Sequence, residues 1–119
     1  MSSLDRIAAI DDFWTREFAY YLCEHRHPLN RLTHMFGVPI LVISGVWALA
    51  APSWRVFVVG WTIGWAIQIL GHRIEGNRPA LLRRPISWLL GPLMVLVELL
   101  EVAGVRPAFA ARARKAAGL

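Results

Sequence analysis

Apolar positions recur at helical spacing through the first 25 residues. Leu4, Ile7, Ala8, Phe13 or Trp14, Phe18, Tyr21 and Leu22 fall roughly on one stripe, and Asp11, Asp12, Arg16 and Glu17 supply a polar side. This predicts an amphipathic helix over residues 3–25 within an N-terminal segment 1–27, with Ser3 as N-cap and Asp5 in the first turn. Pro28 ends that helix or opens the next, since Pro suits a first helical position and disfavours the αR conformation in the residue before it. Gly37 to Ala51 carries no charge. With Leu32–Phe36 the run reaches about 20 residues, enough to span ~30 Å of hydrocarbon, with Pro39 as a kink point. The "APSW" at 51–54 reads as a tight turn, and a second apolar run, Trp54 to Leu70, is interrupted only by Arg55 and Gln68. Together they predict a transmembrane hairpin, residues 28–51 and 54–72.

The third run, residues 85–105, is interrupted by Gly91-Pro92 and contains Glu98 and Glu101. Acids at that depth turn toward protein or water. The run therefore either spans with its acids inward or forms a bent, partly buried helix. Residues 106–119 form a basic Ala/Arg tail, expected on the lipid surface or disordered. The expected fold class is all-α: a small polytopic membrane helical bundle forming one domain, 1–119. It comprises the amphipathic helix, the hairpin and a third apolar element, whole or broken.

Composition strengthens the membrane reading. Hydrophobic residues make up 56% of 119, high for a soluble domain this small, which must cover its core with polar surface. The net charge is +5 and twelve of thirteen basic residues are Arg. The arginines fall at the ends of apolar runs rather than along one face, which favours anionic lipid head groups over nucleic acid. Arg73, Arg78, Arg83 and Arg84 place the 73–84 connection in the cytoplasm by the positive-inside rule, and the hairpin brings residues 25–36 to the same side. The expected location is an integral membrane position, in a bacterial-type inner membrane or an ER-like one, with the histidines on the cytoplasmic face. The basic tail also favours the cytoplasm, which conflicts with a single crossing by the third run. A re-entrant or broken third element, or a fourth crossing, would resolve this. Cys23 is the one cysteine and excludes an intrachain disulfide. Residues 1–20 carry acids and lack the pattern of a secretory signal.

The hairpin has a chemical consequence. It brings "HRHPLNRLTHMFGVP" (25–39) and "QILGHRIEGNRPAL" (68–81) to one membrane face. Gln68, His72 and Glu75 are spaced i, i+4, i+7 on one helix, and Asn30 and His34 are i, i+4 on the other. Imidazoles and carboxylates with an open coordination position suit a redox-active iron or a catalytic zinc, and two histidines with one carboxylate are usual for non-haem Fe(II) oxygenases. The spacings match no standard zinc motif. A plainer reading competes: boundary His, Asn and Arg residues hydrogen-bond head groups, and His72 with Glu75 can be a structural pair. Glu98 and Glu101 either accept from imidazole N–H groups or pair with Arg83 or Arg84. Gly60-Trp-Thr-Ile-Gly64 is a small-residue helix contact pattern.

The stretches H-x-x-P-x-N-x-x-x-H, at residues 25–34, and G-H-x-x-E followed by P-A-L, at residues 71–81, resemble the family of small membrane proteins typified by the yeast 2-hydroxy fatty acid dioxygenase. The match spans residues 20–82, and the third run fits it loosely. The resemblance implies an all-α membrane domain and an Fe(II) cofactor. The implied activity is a non-haem iron dioxygenase that oxidises a 2-hydroxy fatty acid with O2 to the acid one carbon shorter (α-oxidation). It carries metal ligation to His25, His34 and His72, with Glu75 as a further candidate. His27 ranks lower, because the family often has Asn there. Asn30, Gln68, Arg73, Arg78, Glu98 and Glu101 are candidates for substrate contact or for supporting the ligands. Arg26 and Arg31 also qualify for the carboxylate, which a planar guanidinium suits. The expected partners are the acid, O2 and the lipid bilayer. Two alternatives stay open: a non-enzymatic membrane protein that binds lipid or a protein partner, and another metal-dependent hydroxylase or hydrolase on the same scaffold, with zinc in place of iron.

Overall fold

A computed structural model describes residues 1–79 and 84–119. Arg83 of the basic connection and Ala80-Leu81 of the P-A-L stretch lie outside the described residues. Among the described residues all regular structure is helical: α1 (Ser3–Ala8), α2 (Phe13–Cys23), α3 (Pro28–Ala50), α4 (Trp54–Glu75), α5 (Ser87–Val102) and α6 (Ala108–Ala117). The chain divides into two compact units, His27–Pro79 on the one hand and Met1–Arg26 with Ala80–Leu119 on the other.

The unit His27–Pro79 is the predicted hairpin. His27 caps α3, its Nδ1 accepting from the Leu29 N–H at 3.1 Å, and Pro28 takes the first turn. The helix runs through Pro39 to Ala50. Ser53 caps α4, its hydroxyl accepting from Val56 N–H at 3.3 Å. The helix ends at Gly76, whose φ of 85° is left-handed. The N–H groups of Gly76 and Asn77 then both return to the His72 carbonyl, at 2.9 and 3.0 Å. Glycine tolerates this conformation, and the returning amides satisfy carbonyls that a helix end leaves open.

Small residues set the register of the two helices. Gly71 faces Asn30 and Thr33, Gly37 faces Gly64 and Gln68, and Gly60 faces Ser44. A Cβ on Gly60 would stand 2.2 Å from the Ser44 Cβ, so here only glycine permits the approach. The polar side chains Asn30, His34, Ser44, Gln68 and His72 are buried, whereas Phe36, Ile43, Val46, Leu49, Trp54, Val59 and Leu70 are exposed. This polar-in, apolar-out pattern inverts that of a water-soluble hairpin. Both helices are long and apolar enough to cross a membrane.

The other unit is built from α1, α2, α5 and α6. The single helix expected over residues 3–25 is two. Ser2, rather than Ser3, caps α1 in a reciprocal arrangement with Asp5. Asp12 opens α2, accepting from the Thr15 N–H at 2.8 Å and from the Thr15 hydroxyl. The helix-spaced stripe continues across this break, which is why periodicity alone missed it. Ile7, Phe18 and Leu22 pack with Leu90, Met94 and Val97 of α5 and with Ala110, Ala113 and Ala117 of α6. The third apolar run is one helix through Gly91-Pro92. Its 16 residues amount to about 24 Å, short of a ~30 Å crossing. The basic tail is a helix, not a disordered end. Its alanine face is buried, and Arg6 and Arg26 donate to the carbonyls of Ala116 and Ala117, at 3.3 and 2.5 Å, near its C-terminus.

Candidate metal centre

Within the hairpin unit, α3 and α4 bring His34 and His72 together. The rings meet edge to face, with centroids 4.9 Å apart and planes at 88°, and both side chains are buried. His34 Nδ1 lies 2.8 Å from the main-chain oxygen of Asn30, one helical turn earlier. A carbonyl only accepts, so Nδ1 carries the proton and donates, and Nε2 carries the lone pair. His72 Nδ1 lies 2.7 Å from the Asn77 side-chain oxygen, which imposes the same tautomer. Asn77 reaches that position because Gly76 turns the chain back over the last turn of α4. Sequence reasoning did not single out Asn77. Its signal was the Gly-Asn pair at a helix end, where the second residue folds back onto the helix.

In the other unit, His25 follows the last turn of α2. Its ring stacks on Tyr21, with centroids 4.0 Å apart and an 18° interplanar angle, and its Nδ1 is 2.7 Å from the Tyr21 main-chain oxygen. His25 is buried. Burial, and secondarily the Glu24 carboxylate, push the Tyr21 phenol well above its usual range, so a neutral ring lies against the imidazole. The i, i+4 relation to a main-chain carbonyl is thus shared by His25 and His34. All three histidines hold their proton on Nδ1 and present Nε2 as the lone-pair nitrogen. Fixing the distal N–H in this way is how proteins orient metal-binding imidazoles. Within the hairpin unit the His34–His72 pair offers two such nitrogens, and imidazole donors suit iron, zinc and copper.

The other candidates have distinct surroundings. His27 uses Nδ1 to cap α3. Both Glu75 oxygens accept from the His27 main-chain N–H, at 2.8 and 2.9 Å. The carboxylate therefore sits at the positive end of α3, where an anion is favoured. Asn30 is buried and serves His34 through its carbonyl, and Gln68 is buried one turn before His72. Arg73 and Arg78 are exposed. Glu98 and Glu101 belong to the other unit, where Arg114 donates to them at 3.4 and 2.6 Å. Of the arginines expected to pair with these acids, Arg84 instead donates to Glu17 and lies 4.2 Å over the Tyr20 ring.

No curated protein and no solved structure matches the chain. A family model described as "2-hydroxy-palmitic acid dioxygenase Mpo1-like" matches residues 12–103, a span that contains all four histidines, Asn77 and helices α2 to α5. The match covers most of the chain, and the chain belongs to the 2-hydroxy-palmitic acid dioxygenase Mpo1-like family.

Proposed function

We propose that the protein is a membrane-bound, Fe(II)-dependent dioxygenase that oxidises a 2-hydroxy fatty acid with O2 to the acid one carbon shorter. The observation that carries this reading is the set of three buried histidines, each with Nδ1 engaged by an oxygen acceptor, in a member of this family. His34 and His72 supply two nitrogens from the hairpin. His25 precedes His27 by two residues, so chain connectivity alone keeps its Cα within about 8 Å of the start of α3, and it supplies the third. Glu75 acts as a clamp on α3 rather than as a ligand.

Bound iron would supply the redox path between substrate and O2. Converting the 2-hydroxy acid to the acid one carbon shorter and CO2 is a four-electron oxidation, and one O2 balances it with one water formed, R-CH(OH)-COOH + O2 → R-COOH + CO2 + H2O, so no further reductant is needed. The chain's own residues do the rest. The apolar hairpin takes the acyl tail, the buried seam keeps bulk water from the imidazoles, and the head group stays at the cytoplasmic interface, where Arg73 and Arg78 are exposed.

The test is metal analysis of the detergent-purified protein, followed by incubation with 2-hydroxypalmitate, Fe(II) and O2. Stoichiometric iron that is lost in His34→Ala and His72→Ala, together with a C15 acid product, is the expected result. Zinc in place of iron, or unchanged metal content in both variants, would sink the proposal. Bound iron without the C15 product would refute the substrate assignment.

A further inference from the structure

Gln68 is buried, with 6% of its surface exposed, and its Nε2 has no hydrogen-bond partner among the described residues. A buried donor left unmade is costly, and an apolar residue of the same size would avoid that cost. Its surroundings are otherwise those of a packed seam. The Gln68 Cγ lies so close to Gly37 that a Cβ there would approach it to 2.8 Å, and Nε2 would be 3.5 Å from that Cβ. Gly37 is three residues beyond His34 on α3, and Gln68 is four residues before His72 on α4. The carboxamide therefore lies about one helical turn deeper than the histidine pair on both helices.

We propose that the Gln68 amide donates a hydrogen bond to the 2-hydroxyl of the bound acid, and that Gln68 thereby selects 2-hydroxy acids over plain fatty acids. This rests on the function proposed above. Depth decides which oxygen it meets. Arg73, the nearest cation along α4, lies exposed beyond His72 at the outer end, suited to the carboxylate. Gln68 is neutral and on the inner side, toward the acyl tail. In a 2-hydroxy acid held carboxylate-outward, the hydroxyl on C2 is the oxygen on the tail side of C1. A site built to bond a hydroxyl discriminates strongly against the analogue that lacks it, because the protein's own donor is then stranded.

The experiment compares binding of radiolabelled 2-hydroxypalmitate and palmitate to the iron-loaded protein in detergent, for the wild type, Gln68→Leu and Gln68→Met. The denaturant midpoint of each ligand-free protein is measured alongside. The wild type is expected to prefer 2-hydroxypalmitate. Both variants should lose roughly 10- to 100-fold in affinity for it, the range set by one buried hydrogen bond, while palmitate binding is retained. Their unfolding midpoints should equal or exceed that of the wild type, since the stranded donor is gone. An unchanged preference in a variant that holds iron overturns the role of Gln68 and leaves the oxygenase reading intact. A lowered unfolding midpoint in both variants also overturns it, because the amide would then be engaged within the fold. A wild type that binds neither lipid overturns this inference together with the function on which it rests.

Discussion

Gly71→Ala links the packing of the hairpin to its chemistry. A Cβ at position 71 would stand 2.0 Å from Thr33 Oγ1, 2.5 Å from Asn30 Oδ1 and 3.2 Å from Asn30 Cα. Non-bonded heavy atoms prefer about 3.5 Å or more, so the deficit at the Thr33 hydroxyl is about 1.5 Å. Thr33 can rotate away only by giving up its 2.7 Å bond to the Asn30 carbonyl, worth about 1 kcal/mol. The Asn30 amide can swing, but its Cα belongs to the backbone of α3, so the helices must also part. Overpacking of this kind costs about 1–3 kcal/mol, and the better helix propensity of alanine returns about 1 kcal/mol. The net expectation is a loss of about 1–3 kcal/mol. His72 is the next residue, so the separation also moves its ring away from His34, and a site displaced by about 1 Å holds its ligand poorly. Denaturant titration followed by helical circular dichroism, with iron stoichiometry measured on the same preparations, reads both effects. Gly45→Ala is the control: among the described residues a Cβ there meets only Trp61 Nε1, at 3.4 Å, so it should keep full iron and be at least as stable as the wild type, by up to about 1 kcal/mol. A Gly71→Ala protein with wild-type stability and full iron would refute the argument that this contact sets the spacing of the pair.

Asn77→Leu removes the acceptor that holds the His72 tautomer, and metal affinity should fall about 10- to 100-fold, while Asn77→Asp should retain it; competition titration with a chelator measures both. Glu75→Ala leaves the His27 N–H without its carboxylate, so stability should fall by about 1.5–3 kcal/mol while iron stoichiometry holds, and iron lost at unchanged stability would make Glu75 a ligand instead. Bonds from the Thr15 side chain and main chain hold the Asp12 carboxyl below its ordinary 3.8. A depressed folded value means that this cap contributes above the ordinary carboxylate range and is lost as pH falls through the lower folded value. Amide exchange at Thr15 and Arg16 should therefore be flat from neutral pH down to about pH 4, after correction for the intrinsic pH dependence of exchange. It should quicken below that, and Asp12→Ala should remove the step.

Local rules made much of the hairpin readable. Pro28 at the start of α3, Ser53 at the start of α4 and Gly76 at its end each act within one turn of their own position, so a sequence displays them directly. The same is true of the lock on His34, because a carbonyl four residues back is present in any helix. The break at Asp12 obeys a local rule as well, but the apolar stripe ran across it and masked the cap. The packed tail was hidden for another reason. Its buried stripe is alanine, which reads as neither apolar nor polar until α1 and α2 close over it.

The sequence by itself determined which segments are helical hairpin, which residue types sit at its mouth, and that His34 and His72 arrive from the two opposite helices of that hairpin. Only the tertiary structure decided the partners. Glu75 meets the His27 amide 48 residues away, Glu98 and Glu101 meet Arg114 rather than the arginines nearer the start of α5, and Gln68 has a donor with no acceptor among the described residues. Charge and spacing say that such groups need partners. Which partner each finds depends on helix register, and in the hairpin that register is set by how closely Gly37, Gly60, Gly64 and Gly71 let two backbones approach.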